Sequence, residues 1–412
     1  MAHPDRDAVL LFAARMVRLF AYGALSIVFV LHLAAAGLDG SAVGTLLTLT
    51  LLGDAAISLW LTTRADRLGR RRTLLIGAAL MAAGGLAFLL TSRFELLLAA
   101  AIVGVISPNG KEIGPFLSIE QAALSQLLPD RERTRVFARY NLAGSLAAAL
   151  GALAGGWVPA WLAGAGWAEA DAFRAVLAGY AAAGVVLALL LARLSPAIDV
   201  APAPLAGRGR RLGLHRSRGT VLRLSALFGL DAFAGGFILQ SVMAYWFHVR
   251  FGADPAALGS LFFAANLLAA CSALLAHRIA ARFGLVHTMV FTHLPSNVLL
   301  VLVPLMPTLP LAVGLLLVRF SISQMDVPTR QSYTMAVVDP DERSAAAGVT
   351  TIVRSVGAAL APVVGGAFLM SGSGAPFFVA GGLKIVYDLA LFRMFRTLRP
   401  PEEEAGPPPA AR

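Results

Sequence analysis

Several charged residues stand inside long apolar runs of this 412-residue sequence, and its chemistry must lie there. Arg18, Glu120, Asp231 and Arg330 each interrupt such a run, as do Lys111, Glu112, Asp326 and Arg354. A charge at the centre of a bilayer costs roughly 2.5–3.5 kcal/mol on insertion scales, so each needs a partner or a task. An arginine beside a carboxylate gives an ion pair that can be made and broken. A buried carboxylate whose cationic partner comes and goes gains and loses affinity for a proton. These residue types point to proton binding and to holding polar or charged solutes. Covalent catalysis is not indicated: there is no H-E-x-x-H and no G-x-S-x-G, the seven histidines do not cluster at metal-ligand spacing, and Cys271 stands alone. Gly104 to Lys111 approaches a P-loop, but five residues separate the glycines and Glu112 follows the lysine. The phosphate cradle needs four, then Ser or Thr. No enzyme, ATP-driven pump, metal or organic cofactor is expected.

The elements that must position these residues follow from composition. The chain is 58% hydrophobic and 14% charged, with a mean hydropathy of +0.75. A soluble domain carries about 25% charged residues, so this chain has too little polar material to cover a water-facing surface. Apolar runs long enough for a spanning helix lie near 9–36, 41–63, 72–91, 94–128, 134–163 and 172–194. A second six lie near 220–248, 256–278, 285–306, 308–338, 344–371 and 375–396. The expected fold class is an all-α membrane protein of twelve transmembrane helices in two six-helix halves, 1–194 and 220–396. The Pro-, Gly- and Arg-rich stretch 195–219 reads as a cytoplasmic linker, and 397–412 as a disordered tail.

Basic residues outnumber acidic ones by 34 to 23, but they fall in short loops between apolar runs. That placement fits anionic headgroups, and nucleic acid is not an expected partner. With the N-terminus inside, cytoplasmic loops receive Arg64, Arg67, Arg70, Arg71, Arg72, Arg131, Arg133 and Arg135, then Arg278, Arg282 and Arg343. The opposite loops hold little beyond Arg93 and Arg250. Arginine asymmetry therefore places both termini in the cytoplasm, in a multi-pass protein of the plasma membrane of the bacterial inner-membrane type. The run from Val9 to Gly37 is too long for a signal peptide and reads as the first span. A monomer is expected.

The two halves repeat each other. Gly44-Thr45-Leu46 matches Gly259-Ser260-Leu261 and Arg67-Leu68-Gly69 matches Arg282-Phe283-Gly284, at one constant offset. A second shared offset relates Glu120-Gln121 to Arg330-Gln331, Glu132-Arg133-Thr134 to Glu342-Arg343-Ser344, and Gly155-Gly156 to Gly365-Gly366. A parallel repeat of six-helix halves places a solute site at the repeat interface near mid-membrane.

The loop Ala65-Asp66-Arg67-Leu68-Gly69-Arg70-Arg71-Arg72 resembles the G-x-x-x-D-R-x-G-R-R signature of the major facilitator superfamily, with Thr62 in place of the leading glycine. The resemblance covers nearly the whole chain. It implies a cytoplasmic gate built on Asp66, Arg67, Gly69, Arg70 and Arg71; the other reading is a basic loop that only sets topology. Asp66 can accept backbone N–H groups at a helix start and pair with a guanidinium. Gly151 to Gly156 looks like a degraded form of the family's exporter motif G-P-x-x-G-G, with Ala152 replacing proline; close helix packing by small residues explains it equally. Ser107 to Phe116 resembles a stretch found in a little-characterised bacterial and fungal branch of the family.

In that family, spans one, four, seven and ten line a central cavity, which would gather Arg18, Glu120, Asp231 and Arg330. At each repeat-related position one half has a base and the other an acid, so Arg18–Asp231 and Glu120–Arg330 are expected as partners across the cavity. They are either exchanged during alternating access or static. Glu120 and Asp231 are the proton-coupling candidates. Lys111, Glu112, Gln121, Asp326, Gln331 and Arg354 join Arg18 and Arg330 as cavity candidates, and Pro108, Gly110, Gly114 and Pro115 are expected to break the fourth span. The function implied is secondary transport of a small molecule or ion, as proton-coupled efflux. Proton-coupled uptake or exchange of an organic anion is the alternative, and a non-transporting membrane sensor the remaining one.

Overall fold

A computed structural model describes residues 3–127, 130–199, 214–339, 341–369 and 371–396, all helical or irregular and with no strand among them. The linker expected at 195–219 is therefore described at its ends alone, and the tail expected at 397–412 lies outside the described residues. Alanine- and leucine-rich runs form the helices, and polar caps and positive-φ glycines end them. Asp39 starts α2 (Gly40–Leu68) by accepting the Ala42 N–H at 2.8 Å. Gly69, at φ 91°, turns the chain directly into α3 (Arg70–Leu90).

Eleven stretches of the described chain are long and apolar enough to cross a membrane. The fourth expected span falls short because it is two pieces, α4 (Phe94–Val103) and α5 (Phe116–Leu127), separated by twelve non-helical residues. Two further spans are also interrupted: α8 (Arg218–Gly236) from α9 (Gln240–Phe251), and α12 (Leu309–Ile322) from α13 (Asp326–Ala336). The first span, α1 (His3–Ala35), is continuous. The remaining helices are α6 (Asp130–Gly164), α7 (Glu169–Ala192), α10 (Pro255–Phe283), α11 (Leu285–Leu302), α14 (Arg343–Leu369) and α15 (Ala375–Phe395). Leu90, Trp161, Leu274 and Val364 are among the large apolar side chains left exposed, as a lipid-facing surface requires.

The chain forms two compact units. One comprises Met1–Leu205, Leu239–Leu267 and Pro362–Ser373; the other comprises Ala206–Ile238, Leu268–Ala361 and Gly374–Arg412. In the first, α1 packs chiefly on α6 and α7, α3 on α7, and α9 on α1. Small residues set the α1–α6 spacing: a Cβ added at Gly151 would lie 2.0 Å from the Phe20 carbonyl oxygen, and one at Gly155 would lie 2.3 Å from that of Ala24. The Gly151–Gly156 stretch thus packs helix on helix through its backbone. In the second unit, α11 packs on α12, α13 and α15, and α8 packs on α15.

Candidate functional site

Each unit buries its own charge network. In the first, Arg15 and Arg18 lie one turn apart on α1. The break in the fourth span brings acids to them, with Gly110 at φ 63° and Gly114 at φ 79°, conformations that only glycine adopts without strain. Arg18 is fully buried; its Nε donates to Glu112 Oε1 at 2.8 Å, and Nη1 and Nη2 donate to the two oxygens of Glu120 at 2.7 Å each. This two-pronged fit is the strongest arrangement open to an arginine and a carboxylate. Tyr140 adds a third donor, its hydroxyl bonding Glu120 Oε2. Arg15 completes the group: Nη1 lies 3.2 Å from Glu112 Oε2, Nη2 donates to Asn141 Oδ1 at 3.3 Å, and the guanidinium stacks 4.3 Å from the centre of the Tyr140 ring. The two arginines of this group balance its two carboxylates.

Beside it lies an uncharged polar group, also within the first unit. The Gln240 N–H donates to Asn109 Oδ1 at 2.9 Å and the Ser241 N–H donates to the Pro108 carbonyl at 3.2 Å. Gln240 Nε2 donates to Ser26 Oγ at 2.8 Å, and Asn266 Nδ2 reaches Gln240 Oε1 at 3.3 Å. The broken fourth span thus supplies acceptors for N–H groups at the start of α9. Backbone left open by one break is satisfied by the other, as a low-dielectric setting demands.

The second unit centres on Asp231 of α8. Lys384 Nζ of α15 lies 2.5 Å from its Oδ1, while Arg330 Nη1 of α13 and Arg354 Nη1 of α14 donate to Oδ2 at 3.1 and 3.3 Å. Arg330 also contacts Asp326 Oδ2, one turn earlier, at 3.1 Å. His293 of α11 stands with Nε2 3.8 Å from Asp231 Oδ1 and Nδ1 2.8 Å from Asp388 Oδ1 of α15. Asn297 Nδ2, one turn along α11, donates to Asp388 Oδ2 at 2.8 Å. Arg319 of α12 is buried nearby, with no hydrogen bond to its Nε among the described residues. Among the described residues, three acidic side chains (Asp231, Asp326, Asp388) therefore face four basic ones (Arg319, Arg330, Arg354, Lys384) here. No group of three His, Cys, Asp or Glu among the described residues is placed to hold a metal.

The expected pairs Arg18–Asp231 and Glu120–Arg330 are corrected: Arg18 pairs with Glu112 and Glu120, and Asp231 with Lys384, Arg330 and Arg354, each inside its own unit. The physical reason is desolvation, because a buried charge is compensated only by a partner at contact distance. Of the other cavity candidates, Gln121 is half-buried, while Lys111 and Gln331 are exposed. Sequence reasoning does not single out Arg15, Tyr140, His293 or Asp388; Lys384 is marked in the sequence as one of two lysines, both within spans, and stands at i,i+4 with Asp388.

Two arginines of the basic motif make hydrogen bonds within the first unit. Arg70 Nη1 donates to Gln126 Oε1 at 2.9 Å and to the Ile198 carbonyl at 3.4 Å. The Arg71 N–H donates to Asp199 Oδ1 at 3.2 Å, and its guanidinium bonds the Ala192 carbonyl. These arginines fasten the chain leaving α7, including the short 3-10 turn Pro196–Ile198. Arg67 is exposed, and the side chain of Asp66 lies outside the described residues.

The family model of the Major Facilitator Superfamily matches residues 11–362 and 225–411. The chain belongs to this superfamily. Among superfamily structures, the nucleoside transporter NupG superposes with a TM-score of 0.69 at 15% identity, covering 96% of this chain and 100% of that one. A D-xylose–proton symporter gives 0.68 at 16% identity, over 94% and 97%. In sequence, the chain is 31% identical to an uncharacterized membrane protein of Saccharomyces cerevisiae, YJR124C, over 95% of this chain and 94% of that protein. As a major facilitator protein the chain is a multi-pass membrane transporter.

Proposed function

We propose that this chain is a proton-coupled secondary transporter that exports a small solute by alternating access. The observation that carries the reading is the pair of buried charge networks, one around Arg18–Glu120 and one around Asp231. They stand on spans related by the internal repeat, and a membrane scaffold has no use for so many desolvated charges. Glu120 and Asp231 are the proton-coupling carboxylates of this reading. Glu120 accepts three hydrogen bonds. A proton there would displace a donor and loosen α1 from α5, and that is a local event able to bias a two-state transporter. Export is favoured by the resemblance of Gly151–Gly156 to the exporter motif. Arginine asymmetry supports a plasma-membrane protein with both termini cytoplasmic, acting in this reading as a monomer.

Uptake of an organic anion is the second reading, favoured by the surplus of cations in the second unit. One comparison separates them: wild type and Glu120→Gln expressed in a sensitive bacterium and challenged with a panel of drugs, metals and organic acids. Resistance with lowered accumulation, abolished in Glu120→Gln, is the expected result. Sensitisation with raised accumulation would turn the assignment to uptake, and wild-type transport indifferent to the proton gradient would end the coupling reading.

A further inference from the structure

We infer that the buried pair His293–Asp388, between α11 and α15, is a proton-binding site that controls which cations hold Asp231. The inference rests on the proposed proton coupling and adds to Asp231 a second proton-binding group in the same unit.

Each nitrogen of the imidazole faces a carboxylate. Nδ1 is 2.8 Å from Asp388 Oδ1 and 3.1 Å from Asn297 Nδ2; with Asp388 ionised its oxygen accepts the shorter bond, so Nδ1 carries the proton. In the neutral ring Nε2 is then an acceptor, and the atom it faces is Asp231 Oδ1, another acceptor, at 3.8 Å. Two acceptors cannot bond, and this distance is beyond a hydrogen bond. A proton added to Nε2 makes the mismatch a match: the imidazolium then stands between two carboxylates and donates to both. The surroundings hold the ring for this task. Asn297 fixes Asp388 through its second oxygen, and Tyr387 sets its ring edge against His293 at 5.8 Å between centroids. His293, Asn297 and Asp388 are all buried.

The consequence falls on Asp231. Its Oδ1 already holds Lys384 and its Oδ2 holds Arg330 and Arg354. The other charged groups near this network are Asp326 on α13 and Arg319 on α12. Protonated His293 brings one more cation to a cluster already rich in them, and like charges so close disfavour one another. The contact most easily given up is that of Arg354, the longest of the three at 3.3 Å and the one from a side chain a third exposed, against under a tenth for Lys384 and Arg330. Proton binding at Nε2 therefore exchanges Arg354 for His293 on Asp231 and frees a guanidinium. One proton is taken up, no covalent bond other than N–H forms, and one ion pair replaces another.

The test needs no substrate. Selective 15N-histidine labelling of the purified full-length protein in lipid nanodiscs, followed by NMR between pH 5 and about 8.5, reads each of the seven rings. His293→Gln identifies the resonance; should that variant not fold, substituting the remaining histidines one at a time identifies it by elimination. The expected result is that Nε2 of His293 moves from the shift of a bare ring nitrogen to that of an N–H within this range. Asp388→Asn should displace that transition, while Asp388→Glu should largely preserve it. A His293 signal that does not move, or that moves identically in a folded Asp388→Asn protein, would overturn the inference. In transport, gradient-driven flux retained by His293→Gln overturns this site alone, whereas flux in wild type indifferent to the gradient overturns proton coupling as a whole.

Discussion

Arg18 shows how much one side chain can hold in this fold. Its guanidinium is fully buried against Glu112, Glu120 and the ring of Phe116, 4.4 Å from that ring's centre. Arg18→Met would leave carboxylates desolvated without their cation, a change expected to cost about 3–5 kcal/mol. A detergent-solubilised thermal melt followed by tryptophan fluorescence should show the loss as a lower Tm. Arg18→Met combined with Glu120→Met should recover much of it, because an apolar pair leaves no orphaned charge on α5. A double variant no more stable than the single one would mean that Arg18 is held chiefly by Glu112. At this scale the sequence showed which residues were out of place in an apolar run but not which would meet. Lys384, Asp388 and His293 lie far from Asp231 in the chain, and what joins them is the packing of α8, α11 and α15.

Among the elements, the start of α8 depends on a residue more than a hundred positions away. Burial would raise the Glu342 carboxyl, but hydrogen bonds from Ser217 and from the backbone N–H groups of His215, Arg216 and Ser217 outweigh it and hold it down at about 2. Those N–H groups lead directly into a helix whose N-cap residue, Ser217, makes no side-chain capping bond to the helix itself. Because the folded value lies below the unfolded one, this contribution is fully present above roughly pH 4.5. It is lost as the pH falls toward about 2. Glu342→Gln should lower Tm at pH 7 and flatten its decline between those limits, as measured by melts at stepped pH; an unchanged acid limb would show that Glu342 does not hold α8. The repeat pointed to Glu342 by its match to Glu132, yet sequence alone assigned it no partner, because the loop and the helix it caps meet only in the fold.

Across the whole molecule, the reading that follows from arginine placement is orientation. A C-terminal fusion to green fluorescent protein should fluoresce, and the same fusion to alkaline phosphatase should be inactive in a bacterial host, since the first folds in the cytoplasm and the second outside it. The reverse pattern would invert the topology and with it the side from which Arg70 and Arg71 fasten the chain after α7.

The fold class, the run of spans and the break in the fourth of them were written in the sequence, because hydrocarbon demands long apolar helices and proline and glycine cannot continue one. The internal repeat was equally open to reading, since it is a matter of matched offsets. What tertiary structure decided was pairing. Sequence symmetry set Arg18 opposite Asp231, but the bent fourth span carries Glu112 and Glu120 to Arg18, and the last span carries Lys384 to Asp231. A buried charge takes the partner that reaches contact distance, and reach is set by how helices pack, which no spacing along the chain records.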